Sequence, residues 1–130
     1  MEPQRIRLTS DEPIALRPYR TSEKEQLEID KQIEQMLKAD IIQPSQSNYA
    51  APVTLVYKRD DNTKSRFCVD FRKLNYVLKN DKEPLARIYD ILDNLRGAEW
   101  FSKIDLKNGY WHIKIHPDDT EKLAFVTKNL

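Results

Sequence analysis

Hydrophobic residues recur with helical spacing in the stretch that begins after residue 20. Ser22 and Glu25 stand three apart, which is the spacing of a capping box at the start of a helix. Apolar side chains then follow on one face, and Leu27 lies off that face. The pattern predicts an amphipathic helix from about Glu23 to Lys38. Its apolar face consists of Ile29, Ile33, Met36 and Leu37.

A β-hairpin is predicted directly downstream. Residues 52–58 and 66–71 are rich in β-branched and aromatic side chains, and the polar residues 60–63 between them are typical of a turn. We expect a loop longer than two residues. Six basic and three acidic residues lie between Lys58 and Lys73. On charge alone, this excess favours a solvated hairpin over a phosphate site, and both interpretations stay open.

The rest of the chain alternates between helical and strand patterns. Pro84 and Gly97 are typical of the first turn of a helix and of the position just past its end. The apolar stripe between them predicts packing in the core. A turn is predicted at Asn108 and Gly109. The stripe consists of Ile88, Ile91, Leu92 and Leu95, and the predicted strands are residues 100–105, 112–116 and 123–127.

These elements predict an α+β fold in three parts. Residues 1–20 contain three prolines and are expected to form an extended arm, with a short strand near residues 6–8. Residues 21–83 hold the first helix and the hairpin. Residues 84–130 hold the second helix and the later strands.

Composition narrows the possible functions only slightly. The chain has 130 residues, 33% of them charged, and a net charge of +1, so no overall basic charge indicates nucleic-acid binding. The single cysteine, Cys68, excludes an internal disulfide and is expected to be a small, buried hydrophobic residue in a strand. No apolar run approaches the roughly 18 residues of a membrane helix, so no membrane partner is expected.

Asp105 is the first candidate for chemistry, because it ends a predicted apolar strand. A carboxylate there suits a magnesium ion, which prefers hard oxygen ligands, but an ordinary cap or turn residue has the same position. Tyr110 follows five residues later and is interpreted as a ring that packs under a bound sugar, whereas Trp111 is interpreted as an ordinary aromatic. The backbone N–H groups between Leu106 and Tyr110 are candidates for phosphate binding.

Lys58 and Arg66 are the second candidate site, because they lie on the two arms of the hairpin. A lysine supplies a point charge and an arginine a fork for phosphate oxygens. Asp70 and Arg72 lie two apart, on one face of the predicted strand, and form either a structural ion pair or a template contact. His112 and His116 are four apart, but the local alternation predicts an exposed strand face rather than a helical metal pair.

Several motifs together resemble one family. Phe-Ser-Lys-Ile-Asp-Leu-Lys-Asn-Gly-Tyr-Trp-His-Ile (residues 101–113) is similar to the first catalytic-aspartate motif of reverse transcriptases, in the form found in Gypsy-type long-terminal-repeat retrotransposons. The stretches 52–59 and 66–75 resemble the fingers hairpin of that family. The resemblance implies the fingers and first part of the palm of a right-hand polymerase. It places the fingers in residues 21–83 and an incomplete palm sheet, with an unpaired edge and an exposed apolar face, in residues 84–130.

The resemblance also implies roles for the candidate residues. Asp105 would bind Mg2+, Lys58 and Arg66 would grip the triphosphate of a deoxynucleotide, and Tyr110 would exclude ribonucleotides. The partners would be the deoxynucleotide and a template-primer of RNA or DNA.

The family's second acidic motif, Tyr-x-Asp-Asp, does not occur in the 130 residues. The pairs Asp60–Asp61 and Asp118–Asp119 lack the tyrosine two positions earlier. We therefore expect that this chain alone does not polymerise. The alternative is a non-enzymatic module that binds nucleic acid, or a decayed transposon remnant.

Overall fold

A computed structural model describes residues 2–80 and 84–128 of the chain. The predicted boundary at residue 83 lies outside the described residues. The elements confirm a mixed α+β fold with a small sheet. Among the described helices, none has the length and apolar character needed to cross a membrane. The helices are α1 (Glu23–Lys38), α2 (Arg72–Tyr76) and α3 (Ile88–Asn94), the strands are β1 (Ala51–Lys58), β2 (Asp61–Val69) and β3 (Phe125–Val126), and two short 3-10 helices span Gly109–His112 and Pro117–Leu123.

Helix α1 begins and ends where the sequence predicts. The Ser22 hydroxyl accepts a hydrogen bond from the Glu25 N–H at 3.2 Å, which satisfies one of the free donors of the first turn. The helix buries its apolar stripe against β1, and Leu27 is exposed as expected. The prediction that Leu37 belongs to the buried face is wrong, because its side chain is exposed. The core cluster consists of Ile29, Ile33, Met36 and Val53, with Ile42, Leu55, Phe67, Val69 and Phe125 packed around it.

The hairpin is confirmed, but its turn is shorter than predicted. Arg59 and Asp60 alone connect the strands, and Lys58 pairs with Asp61. The next pair joins Tyr57 to Ser65, so the extra residues bulge out of β2 instead of lengthening the loop. Strand β3, which confirms the last predicted strand in a shorter form, pairs in parallel with β1. The sheet order is therefore β2-β1-β3.

Residues 84–113 depart most from the prediction. Residues 100–105 form no strand, and residues 112–116 form the end of a 3-10 helix and a single bridge at Ile115. The apolar stripe of α3 is exposed rather than packed in the core, with Ile88 at 74% exposure. A strand needs a partner for its N–H and C=O groups, and a stripe needs an opposing surface. The described residues place neither beside this segment.

Residues 2–20 form an arm without a helix or continuous strand. The strand predicted near residues 6–8 is wrong, since only Leu8 pairs there, with Leu78. Two further isolated bridges join Gln4 to Ile115 and Ala15 to Ala50. The arm therefore lies along three separate parts of the chain.

Candidate functional site

The hairpin places Lys58 and Arg66 on the same face. Val53 and Leu55 contact the core, so strand alternation turns Val56 and Lys58 to the opposite side of β1. Arg66 pairs directly with Val56 and therefore shares that face. Both cations are exposed. The structure thus brings together two positive charges on a solvent-facing surface, as phosphate binding would require.

Asp70 lies at the end of β2 in a network with Arg72 and Tyr19. Arg72 donates to the carboxylate through Nη2 at 2.7 Å and Nε at 3.0 Å, and the Tyr19 hydroxyl donates to it as well. The Arg72 guanidinium and then the Tyr19 hydroxyl hold the pKa of the Asp70 carboxyl well below its usual range. The ion pair is therefore formed, while Arg72 remains exposed.

One expectation about this network is wrong, and one of its members was not predicted. Arg72 does not lie on a strand face with Asp70, because β2 ends at Val69 and Arg72 begins α2. Tyr19 was missed by the sequence analysis, since nothing local links it to a carboxylate 51 residues away.

Asp105 and Tyr110 lie on the exposed segment 84–113. Both side chains are exposed, Tyr110 at 89%, and Leu106 is exposed beside them. The turn between them forms as expected, but the left-handed residue is Asn108, with φ 52°, and not Gly109. Among the described residues, no hydrogen bond or salt bridge joins Asp105 to the hairpin cations. The two candidate sites are therefore not directly bonded to each other within the described residues.

The donors around Asp105 do not by themselves make a magnesium site. A carboxylate is the right type of ligand, but an ion held by protein needs several oxygen ligands. The described residues contain no group of three or more His, Cys, Asp or Glu side chains that could hold a metal ion. Asp105 is therefore not part of such a group, and we assign no chemical step to a metal held by this chain alone.

The two histidines do not form the strand face that was predicted. The His112 ring bonds the Lys107 carbonyl through Nε2 at 2.9 Å, inside the turn after Asp105. The His116 ring accepts the Asp118 N–H through Nδ1 at 3.2 Å, at the start of the second 3-10 helix. Each ring is engaged with backbone atoms close to it in sequence.

Asp119 is a buried charge, which the sequence presented only as half of an Asp-Asp pair without the preceding tyrosine. Its side chain is 1% exposed and accepts hydrogen bonds from the Arg5 Nε, the Ile6 N–H and the Lys122 Nζ at 2.7–2.8 Å. Burial alone would raise the pKa of Asp119, but Lys122, Ile6 and Arg5 together lower it to about 2. The sequence signal for a structural role of Asp119 is its position after Pro117 and Asp118, because proline and acidic residues are typical of the first turn of a helix.

Comparison with known proteins tests the family resemblance of these motifs. The family model described as reverse transcriptase (RNA-dependent DNA polymerase) matches residues 56–130, which include most of the hairpin and the Asp105 motif. The chain belongs to the reverse transcriptase family. This confirms the resemblance on which the fingers and palm assignment was based. Family membership implies a divalent-metal requirement in general.

The chain is similar to small parts of much longer reverse transcriptase polyproteins. It is 38% identical to the Pol polyprotein of transposon 412 and 37% identical to that of transposon gypsy, both from Drosophila melanogaster. These alignments cover 97% and 92% of the chain but only 10% and 12% of the relatives. A foamy viral protease-reverse transcriptase in complex with dsDNA superposes with a TM-score of 0.81 at 27% identity, covering 98% of the chain and 26% of that protein.

Proposed function

We propose that the chain is the fingers and first palm segment of an RNA-directed DNA polymerase. In that reaction a primer 3′-hydroxyl attacks the α-phosphate of a deoxynucleoside triphosphate, a new O–P bond forms and pyrophosphate leaves. The observation that carries the proposal is the family match across residues 56–130, which contains both Arg66 on the hairpin and Asp105. The foamy viral protein's complex with dsDNA supports nucleic acid as the partner.

The hairpin cations are proposed to bind the triphosphate. Lys58 and Arg66 share an exposed face, and a lysine with an arginine fork neutralises phosphate charge with directed hydrogen bonds. Tyr110 is proposed to lie against the sugar and exclude a ribose 2′-hydroxyl. The backbone from Leu106 to Tyr110 is proposed to meet phosphate oxygens. Asp70 and Arg72, with Arg72 exposed, are proposed to contact the template.

Asp105 is proposed as one Mg2+ ligand within a larger set of carboxylates. Two-ion nucleotidyl transfer requires several acidic ligands, and the described residues contain no group of three or more side chains that could hold a metal ion. We therefore expect no primer extension from this chain alone with Mg2+ and deoxynucleotides. Robust incorporation that is lost in Asp105→Asn would contradict this expectation.

A chimera tests the proposed reaction itself. The matching segment of the transposon gypsy polyprotein would be replaced by this chain, and extension of a template-primer would be measured. Asp105→Asn is expected to lower the extension rate by a factor of about 10³ or more, because no neutral amide replaces a metal-binding carboxylate. Asp93→Asn, in the same exposed segment, is the matched control and should leave the rate unchanged. Equal rates for the two variants would refute the assignment of Asp105.

A non-enzymatic nucleic-acid module is the second candidate function, favoured by the single carboxylate at Asp105. Template-primer binding by the isolated chain would be followed by fluorescence anisotropy over a range of salt concentrations. Binding that weakens in Arg66→Ala, with a salt slope reduced by about 1, would support the module if the chimera is inactive. Lys38→Ala, on α1 and paired with Glu34, removes the same charge elsewhere and serves as the control.

A further inference from the structure

The N-terminal arm bonds to the chain on both sides of the exposed segment that carries Asp105. The segment covers residues 84–113, and every one of its residues is exposed except Gly109. Residues 4–9 of the arm reach both of its flanks, so a short stretch of arm joins two places far apart in sequence. The four backbone bonds are Thr9 N to Val77 O (2.7 Å), Lys79 N to Arg7 O (2.8 Å), Gln4 N to Lys114 O (2.7 Å) and His116 N to Gln4 O (2.9 Å).

The Asp119 cluster fixes this stretch of arm in place. The carboxylate of Asp119 binds the Arg5 guanidinium and the Ile6 N–H through one oxygen, and the Lys122 ammonium through the other. Lys122 also donates to the Ile6 carbonyl at 2.9 Å. Both backbone groups of Ile6 are therefore bonded by side chains of the second 3-10 helix. A buried charge is costly without partners, so the Asp119 carboxylate and the groups that donate to it depend on one another.

We propose that Asp119 is a positioning residue, and that the arm and the Asp119 cluster form a clasp that sets the orientation of the Asp105 segment. The arm residues held by Asp119 lie between the contacts to Val77–Lys79 and the contacts to Lys114–His116. Releasing Ile6 loosens both flanks of the segment at once. The functional part of this inference, the placement of Asp105 and Tyr110 against a nucleotide, rests on the proposed polymerase function.

Amide hydrogen exchange of the whole chain tests the clasp without any assay of polymerisation. In Asp119→Asn we expect the amides of Lys79 and His116 to exchange at least about tenfold faster, while the amides of α1 keep their protection. Lys79 is the decisive probe, because it lies 40 residues from Asp119 and its amide donates to the Arg7 carbonyl of the arm. Asp11→Asn, which removes an exposed carboxylate elsewhere on the arm, is the matched control and should change neither amide.

The possible outcomes separate the clasp from the proposed function. Unchanged exchange at Lys79 in Asp119→Asn would overturn the clasp, whatever the chimera does. If Asp119→Asn loses protection throughout α1, the exchange experiment is repeated with the Arg5→Ala variant. Faster exchange at Lys79 and His116 is again expected, and unchanged exchange at Lys79 would again overturn the clasp.

If the clasp orients the Asp105 segment in an active chimera, Asp119→Asn should raise KM for the deoxynucleotide and lower kcat. Asp119→Glu, which keeps the carboxylate, should bring both constants part of the way back to the wild-type values. An effect on expression alone, with unchanged KM and kcat, would overturn the positioning role. An inactive chimera whose exchange data follow the expectation would count against the polymerase and leave the clasp supported.

Discussion

The Asp119 carboxylate should make the stability of the chain depend on pH in a narrow acidic window. Its pKa is lowered from 3.8 to about 2 by Lys122, Ile6 and Arg5, although burial opposes the shift. A carboxyl whose pKa is lower in the folded state stabilises the fold above its unfolded pKa. That stabilisation is lost as the pH falls from about 4 towards 2. In this range the Asp119 carboxyl is already protonated in the unfolded state but still ionised in the folded state, so each proton bound favours unfolding.

The size of this contribution follows from the difference between the two pKa values. Each pKa unit corresponds to about 1.4 kcal/mol, so the shift of Asp119 gives about 2 kcal/mol of stability above pH 4. Asp119→Asn removes that contribution and also leaves Lys122 without its carboxylate partner. Because the Arg5 and Lys122 side chains are 46% and 20% exposed, the added cost stays below that of breaking a fully buried pair, which is about 3–5 kcal/mol. The variant should therefore be clearly destabilised at pH 7, and less so at pH 2.

Urea unfolding followed by circular dichroism at pH 7, 4, 3 and 2 measures these differences. The free-energy gap between the wild type and Asp119→Asn should narrow by about 2 kcal/mol between pH 4 and pH 2. Asp11→Asn should parallel the wild type throughout, because the Asp11 side chain is exposed. A gap for Asp119→Asn that stays constant with pH would show that the carboxylate is not held as the structure indicates.

Three further results are expected. Ile33→Ala should lower the free energy of unfolding by about 2–5 kcal/mol, whereas Ile88→Ala, on the exposed stripe, should change it by less than about 0.5 kcal/mol in urea unfolding. Tyr19→Phe should raise the pKa of Asp70 in an NMR titration while Arg72 still keeps it below the usual range, and an unchanged pKa would refute the role of the hydroxyl. The amides of α3 should exchange much faster than those of α1, because a seven-residue helix without packing is marginal, and equal protection would contradict its exposure.

The parts of the fold that could be predicted are those in which local pattern and packing agree. Ser22 caps α1, and the stripe that begins with Ile29 meets Val53 on the adjacent strand. The hairpin strands alternate, and their inner faces close the same core. In these elements the partner of each apolar face is a neighbour along the chain, so periodicity was sufficient to predict them.

The contacts of the arm could not be predicted, because their partners are remote in sequence. The Arg5–Asp119 bond joins residues 114 apart, and neither residue type nor spacing indicates such a pair. Tyr19 and Asp70 present the same difficulty. Helix α2 has five residues, which is too short for a periodic stripe to be recognised. Sequence pattern shows which groups need partners and leaves distant partners unidentified.

The incorrect predictions in residues 84–113 share one physical cause. The stripe of α3 correctly marks an apolar face, but a face contributes about 1.5–3 kcal/mol per large side chain only when something covers it. Likewise, residues 100–105 have the composition of a strand but lack, among the described residues, a strand to pair with. The conformation of the segment that holds Asp105 thus depends on contacts other than those that fix the hairpin. Within the described chain, the segment is held at its two flanks by the arm, which is why Asp119 rather than a residue of the motif governs its placement.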